Sequence, residues 1–182
     1  MIMAVNDNLL EDYRNVITNA ILNNEILVDV LGKGEYDLDT ADELLWKNVF
    51  PNDFAPETLT ETDTYIFYDM DESVSPTVSK NGTGFLAINL YFWIVTHRDI
   101  IRYNGNIPSS KNRLRNDIVV RELKQMFAPE RNLGVSKNKF LYNKIFAQTN
   151  NKYSGRLLAF QITDFADKIR YGIGKGEIEK WQ

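Results

Sequence analysis

FLAINLYFWIVT, at residues 85–96, gives the strongest β-strand signal in the sequence. Large apolar side chains recur at every second position, which predicts a long β-strand. One face of this strand carries Leu86, Ile88, Leu90, Phe92 and Ile94. The other face carries Asn89, Tyr91, Trp93 and Val95. Because aromatic side chains lie on both faces, we expect both to be covered, one by a helix and the other by a second partner.

Three further strands are predicted around this one. Residues 64–70 alternate in the same way, and so do residues 140–148 and 156–163. The polar stretch 149–154 between the last two has the composition of a hairpin loop. The strands are therefore expected to pair as antiparallel hairpins.

Helices are predicted before and between the strands. Apolar residues recur with helical period in residues 8–23, and a shorter run at 26–31 ends at Gly32 and Gly34. Thr40 can cap a short helix that continues to Trp46, and the segment opened by Pro108 predicts a third main helix, which Pro129 and Gly134 end.

This order of elements predicts an α+β fold with a mostly antiparallel sheet of about four strands and helices packed on one face. We expect residues 1–165 to form a single ring-forming domain and residues 166–182 to form a C-terminal arm or tail.

Composition narrows the class of protein. A chain of 182 residues with 43% hydrophobic and 25% charged residues suits one soluble domain with a full core. There is no cysteine, which excludes disulfides and thiolate metal sites. The start lacks the features of a signal peptide, and no apolar run is long enough to span a bilayer. We expect a protein made inside the cell, with no membrane partner.

Charge is divided between two opposed blocks. The acidic block, residues 35–72, holds twelve carboxylates against one lysine, a net charge of −11. The basic block, residues 98–156, holds thirteen bases against four acids, a net charge of +9. The blocks can neutralise each other within one molecule, or the acidic block of one copy can meet the basic block of another. The second arrangement is head-to-tail and closes into a ring when the rotation allows.

Residues that could carry chemistry are few. His97 is the single histidine, and its place after the long strand indicates a strand-end residue with a structural or exposed role. Asp69, Asp71 and Glu72 are predicted to follow a strand, where such carboxylates can hold Mg²⁺ or Ca²⁺. A solvated acidic loop is the interpretation that we favour for them. No catalytic residue, metal site or cofactor is assigned.

Cations cluster at the start of the basic block, beside Tyr103. Such a cluster can contact phosphates while the tyrosine stacks on a base, but a solvated face or a subunit contact explains the same residues. The calculated pI near 5.1 argues against general nucleic-acid binding. We expect a subunit interface formed by Asp69, Asp71, Glu72, Arg98, Arg102, Arg113, Arg115 and Arg121.

The element order resembles the tail-terminator, or tail-completion, proteins of long-tailed bacteriophages. The resemblance covers the first helix, TDTYIFYD at residues 62–69, the long aromatic strand, NIPSSKNRLRNDIVVRELKQMF at residues 106–127 and the closing hairpin that ends GRLLAFQITDF. It implies a non-enzymatic virion protein of the tail or neck, assembled in the host cytoplasm, that forms a six-membered ring. Such a ring would cap the tail tube and dock it to the head connector, with genomic DNA passing through the lumen without sequence-specific binding.

Two alternatives stay open from the sequence. A head-completion or adaptor protein of the neck would share the structural role and differ only in position. A metal-dependent nucleic-acid-processing enzyme would use Asp69, Asp71 and Glu72 together with the cations of residues 98–115.

Overall fold

A mixed five-stranded sheet forms the frame of the protein. The structure is a computed structural model that describes residues 8–55, 57, 59, 61–78, 84–128, 133–134, 137–146 and 152–165; for residues 8–9, 72–78, 84–86 and 164–165 it describes the backbone alone. The strands are β1 (Val49–Phe50), β2 (Thr64–Val78), β3 (Gly84–His97), β4 (Lys139–Phe146) and β5 (Tyr153–Phe165). Their order across the sheet is β1-β2-β3-β5-β4.

The four long strands pair in antiparallel fashion, as the sequence predicts. β2 pairs with β3, β3 with β5, and β5 with β4. The sheet is nevertheless mixed, because the short β1 runs parallel to β2 and places Val49 beside Ile66. The predicted long strand is β3, and it lies at the centre of the sheet, where it has paired strands on both sides.

Three helices cover one face of this sheet: α1 (Asn8–Leu22), α2 (Glu25–Leu31) and α3 (Arg115–Met126). Their buried residues share one core with the inward side chains of the strands, so the prediction of helices packed on one face is confirmed. The inward side chains of β3 from Ile88 to Ile94 are fully buried. Gly32 caps the end of α2, where the sequence predicts the helix to stop, and Asn24 caps its start, because the Asn24 side chain accepts a hydrogen bond from the Leu27 N–H.

The opposite face of the sheet, here called the outer face, is covered at one end only. Tyr65, Phe67, Val95 and Tyr153 form a second cluster there, beneath the connection that carries Phe50, Phe54 and Leu59. Further along β3, the side chains of Asn89, Tyr91 and Trp93 are half-buried. The sequence predicts that the whole outer face is covered, but the described residues cover only one end of it.

The third helix begins later than predicted. Residues Pro108–Ser110 form a separate 3-10 turn, and α3 starts at Arg115. Between them, Asn112 has a φ of 62°, and the segment pairs back onto Tyr103: the Asn112 N–H donates to the Tyr103 carbonyl and the Tyr103 N–H to the Arg113 carbonyl. These long-range bonds replace the helical ones. The predicted stop at Pro129 lies outside the described residues.

Two further boundaries differ from the predictions. The helix expected to reach Trp46 is a 3-10 turn, Ala41–Leu44, because Trp46 has a φ of 61° and the Thr40 side chain bonds back to Asp37 instead of capping. β2 continues through Val78, so Asp69, Asp71 and Glu72 lie within a strand and not in a loop beyond it. β5 likewise starts at Tyr153, inside the predicted loop 149–154. The predicted arm, residues 166–182, lies outside the described residues.

Candidate subunit interface

The acidic block is largely a surface feature. Between the end of α2 and the start of β2 the chain makes turns, because Asp37 accepts bonds from the backbone of Asp39 and Thr40 and a 3-10 turn follows. A hydrogen bond from the Thr40 hydroxyl, and after it the one from the Thr40 N–H, lowers the pKa of Asp37, because both bonds favour the charged carboxylate. The exposed carboxylates of the block are Glu35, Asp37, Asp39, Asp42, Glu43, Asp53, Glu57, Glu61 and Asp71.

Among the described side chains of this block, two carboxylates are ion-paired, and neither partner comes from the basic block. Lys33 Nζ lies 2.6 Å from Asp63 Oδ1, and Arg14 Nη2 lies 2.7 Å from Asp69 Oδ1. Arg14 belongs to α1, and Lys33 precedes the acidic block by two residues. The acidic block is thus neutralised within the described chain only in part, and by residues outside both blocks.

The three predicted acidic interface residues share β2. Asp69 is half-buried and bound by Arg14, whereas Asp71 is exposed on the outer face. Asn89 Nδ2 donates to Asp71 Oδ1 at 2.8 Å, and the Tyr91 hydroxyl donates to Oδ2 at 3.3 Å. Burial and the Asp71 carboxylate both raise the pKa of Tyr91. Asp71 therefore lies beside two neutral donors on the outer face; for Glu72 the structure describes the backbone position alone.

The basic block also presents most of its charge to solvent. Its ion pairs in the described chain are internal: Arg156 Nη2 lies 3.5 Å from Asp117 Oδ1, and Arg121 Nη2 lies 2.8 Å from Glu122 Oε1. Arg121 is half-buried, and its guanidinium is already paired with Glu122. The exposed bases are Arg98, Arg102, Lys111, Arg113, Lys124, Lys137, Lys139, Lys144 and Lys152.

Arg115 does not belong with the exposed cations. Only 6% of it is accessible, and its guanidinium donates to the carbonyls of Val30 and Ile100 and lies 5.4 Å from the centre of the Tyr103 ring. Burial lowers its pKa. Residue type alone does not show which arginines near the start of α3 are exposed and which are buried. Arg115 is a core residue and is removed from the predicted interface.

Few residues in the described part of the chain could act in catalysis or bind a metal ion. Within the described residues, no group of three or more His, Asp or Glu side chains is arranged to hold a metal ion. His97 ends β3, as predicted, packs edge-on against the Tyr153 ring at 5.0 Å and accepts a bond from the Asp99 N–H. The helices of the described part of the chain include none long and apolar enough to cross a membrane.

A protein-family model, YomW, matches residues 14–162 of this sequence. The chain belongs to the YomW family. YomW is a phage-associated family, so the bacteriophage origin that the sequence predicts is supported, whereas the family name says nothing of a tail terminator. A comparison with curated proteins gives no match.

The YomW match includes the whole of both charge blocks and all five strands except the last residues of β5. The charge split is therefore carried by the part of the chain that the YomW family defines. It is not confined to a terminal extension.

The structure of this YomW-family chain also reveals exposed apolar residues that sequence reasoning missed. Trp46 is 61% exposed in the acidic block, and Ile145 is 79% exposed on β4 in the basic block. Ile145 pairs with Arg156 of β5, which in turn pairs with Ile94 of β3, so it lies on the helix-covered face of the sheet. β4, however, lies at the margin of the sheet, where Ile145 remains exposed.

Proposed function

We propose that this YomW-family protein is a non-enzymatic virion subunit of the bacteriophage head–tail interface, and that it is a tail terminator. Copies associate head to tail into a ring that caps the tail tube and docks it to the head connector. DNA passes through the lumen. The phage association of the family supports the setting, and the resemblance to terminators supports the position.

The observation that carries the proposal is the state of the two charge blocks. The bases that neutralise the acidic block come from outside the basic block, and the acids bound in the basic block are its own. Within the described residues, one acidic and one basic surface of the same molecule are therefore left to contact other copies. A ring with one repeated contact needs two different, complementary patches on each subunit.

Long-range attraction between such patches speeds association and weakens as salt screens it. We expect light scattering of the purified protein at low salt to show an oligomer, and electron micrographs to show rings. The oligomer should dissociate as salt rises. A protein that remains monomeric when concentrated at low salt would contradict the proposal.

The charge dependence can be tested with a matched pair of variants. Arg102→Glu with Arg113→Glu should shift the oligomer toward monomer, because both side chains are exposed cations. Arg102→Lys with Arg113→Lys keeps the charge and should preserve the oligomer. Equal association by both variants would show that these charges do not drive assembly.

Deletion of the gene from its phage separates the terminator from the head-completion alternative. Loss of a terminator leaves tube growth unstopped, so micrographs should show overlong tubes. Loss of a head-completion protein leaves tails of normal length beside heads that do not join them. The second phenotype would replace the terminator assignment with the adaptor one.

The enzyme alternative has its own test. Asp69 and Asp71 lie on one strand and are bound by Arg14, Asn89 and Tyr91, which favours a structural use of both carboxylates. We expect Mg²⁺ or Mn²⁺ to leave the melting temperature unchanged. A clear upward shift with either ion would favour metal-dependent chemistry instead.

A further inference from the structure

The sheet has two edges that carry no neighbouring strand within the described residues. β4 is last in the strand order, so one side of Lys139–Phe146 is open. β1 covers β2 only at Ile66 and Phe67, so β2 is also open from Tyr68 onward. An open edge presents backbone N–H and C=O groups on which another strand can pair.

Backbone geometry shows which groups of β2 point to its open side. The Ile66 N–H donates to the Asn48 carbonyl at 2.8 Å, on the β1 side of the strand. Strand period places the Met70 N–H on that same side, and there it donates to Asp69 Oδ1 at 2.8 Å. A side-chain oxygen thus takes the place that a strand carbonyl would hold in a paired edge.

The two open edges have opposite charge. β4 carries the exposed Lys139 and Lys144, whereas the open part of β2 carries Asp69, Asp71 and Glu72. Lysines on an edge discourage pairing between like edges. They do not explain Ile145, an exposed β-branched residue beside Lys144. A strand edge that is acidic and also places an apolar residue beside Ile145 would account for both the lysines and the exposed isoleucine of β4.

Strand directions permit such a contact without breaking the pattern of the sheet. Antiparallel pairing of β2 with β3, β3 with β5, and β5 with β4 makes β4 run opposite to β2. In a head-to-tail repeat, β4 of one copy beside β2 of the next is therefore again antiparallel. The four long strands then continue from copy to copy with unbroken alternation.

We propose that β4 of one copy adds to the open edge of β2 in a second copy, so that one antiparallel sheet continues through the ring. This inference rests on the ring-subunit function proposed above and names the surface that joins the copies. In the register that places Lys144 opposite Asp71 of the neighbouring copy, outer faces stay continuous. Ile145 then lies opposite Met70 of that copy, on the helix-covered side.

A disulfide reports this contact without ambiguity, because the chain has no cysteine of its own. Within one molecule, β5 and β3 lie between β4 and β2, which places the two strands about 14 Å apart. A disulfide needs Cα atoms within about 7 Å. Lys144→Cys with Asp71→Cys can therefore form a bond only between copies.

We expect mild oxidation of this double variant to give covalent dimers and a ladder of higher oligomers on non-reducing gels. Each single variant should give no ladder. The matched control, Lys144→Cys with Asp37→Cys, also pairs β4 with an exposed acid position, but one that lies off the β2 edge. It should give no ladder either; a ladder of equal yield from the control would overturn the proposed register.

Charge reversal gives a second readout that does not depend on oxidation. Lys144→Asp should weaken association at least tenfold, and the added Asp71→Lys should restore much of it, because the pair is exchanged. Both sites are exposed, so each variant should keep the circular dichroism spectrum of the parent. Ile145→Lys should weaken association without changing the melting temperature.

The outcomes separate this inference from the function on which it rests. An oligomer that forms normally, gives no Lys144–Asp71 cross-link and ignores Lys144→Asp would overturn strand addition and leave the ring function standing. A monomer at low salt and high concentration would overturn both. A cross-linked ladder with charge-swap rescue would support both.

Discussion

Tyr103 shows how single residues in the basic block hold the protein together. Its ring is fully buried, its hydroxyl donates to Asp29 and accepts from the Ile107 N–H at 2.9 Å, and Arg115 lies over its face. The hydroxyl thus joins α2 to the 98–115 loop. A buried carboxylate such as Asp29 depends on donors of this kind, because an unpartnered buried charge is costly.

Replacement of Tyr103 by phenylalanine should therefore lower the free energy of unfolding by about 1–3 kcal/mol. The variant leaves the buried Asp29 with one donor fewer and the Ile107 N–H without its acceptor. Urea denaturation measures the loss. Tyr91→Phe removes an exposed bond of 3.3 Å and should cost less than about 0.5 kcal/mol. Equal losses in the two variants would contradict the role given to the buried hydroxyl.

Buried tyrosines also predict how stability responds to alkaline pH. Burial raises the pKa of Tyr65, Tyr68 and Tyr103 to about 12 from an ordinary 10.0. A raised pKa in the folded state means that the neutral form is favoured there. This stabilisation is complete below pH 10 and is lost as the pH rises through 12.

The free energy of unfolding should fall over that interval, and tyrosinate absorbance should rise late, with unfolding. Tyr68→Phe should make the fall shallower, because the hydroxyl that donates to the Arg14 carbonyl no longer ionises. A variant whose alkaline stability curve keeps the parental slope would argue against Tyr68 as a contributor.

At the scale of elements, local signals explain where α2 begins and ends. The Asn24 side chain accepts from the Leu27 N–H at 3.0 Å, and the Gly32 N–H bonds to the Val28 carbonyl. At Gly32 a Cβ atom would lie 2.4 Å from the Tyr36 ring, so only glycine lets the chain turn closely there. These contacts orient α2 against the sheet and place Asp29 beside Tyr103.

Asn24→Ala should cost about 1 kcal/mol of stability through loss of this cap. The neighbouring Asn23→Ala is the matched control, since Asn23 directly follows α1 and its side chain bonds to the Asn19 carbonyl in the last turn of that helix. Urea midpoints compare the two variants. A larger loss at Asn23 would show that the cap of α2 is not the stabilising contact.

At the scale of the whole molecule, the charge blocks predict a particular behaviour in mixtures. A head-to-tail contact uses two different surfaces, so damage to one surface leaves the other intact. Arg102→Glu with Arg113→Glu reverses the charge of the basic surface, and Asp39→Ala with Asp42→Ala removes charge from the acidic one, so the two altered surfaces do not attract each other; all four side chains are exposed.

Each variant alone should be monomeric at low salt. The mixture should form dimers and stop there, because one undamaged acidic surface meets one undamaged basic surface and no further contact follows. Native mass spectrometry distinguishes this mixed dimer by mass. Full rings from the mixture would contradict a head-to-tail contact through these residues.

Much of the fold follows from periodicity. The alternation of residues 85–96 predicts β3, and helical period predicts α1 and α2, because burial of one apolar face dominates the energy of each. Elements whose form depends on distant contacts were predicted less well. α3 starts late because Tyr103 pairs with residues 112–113, and β1 exists only because Val49–Phe50 meets β2.

The candidate interface, too, could be predicted from the sequence only in part. Composition and period, which need no coordinates, were enough to predict the two charge blocks and the central strand. The folded chain was needed to show that Arg115 is buried, that Asp69 binds Arg14, and that β4 and most of β2 are, within the described residues, open edges of opposite charge. The physical reason is that exposure, ion pairing and strand order depend on residues far apart in the chain, which local patterns do not encode.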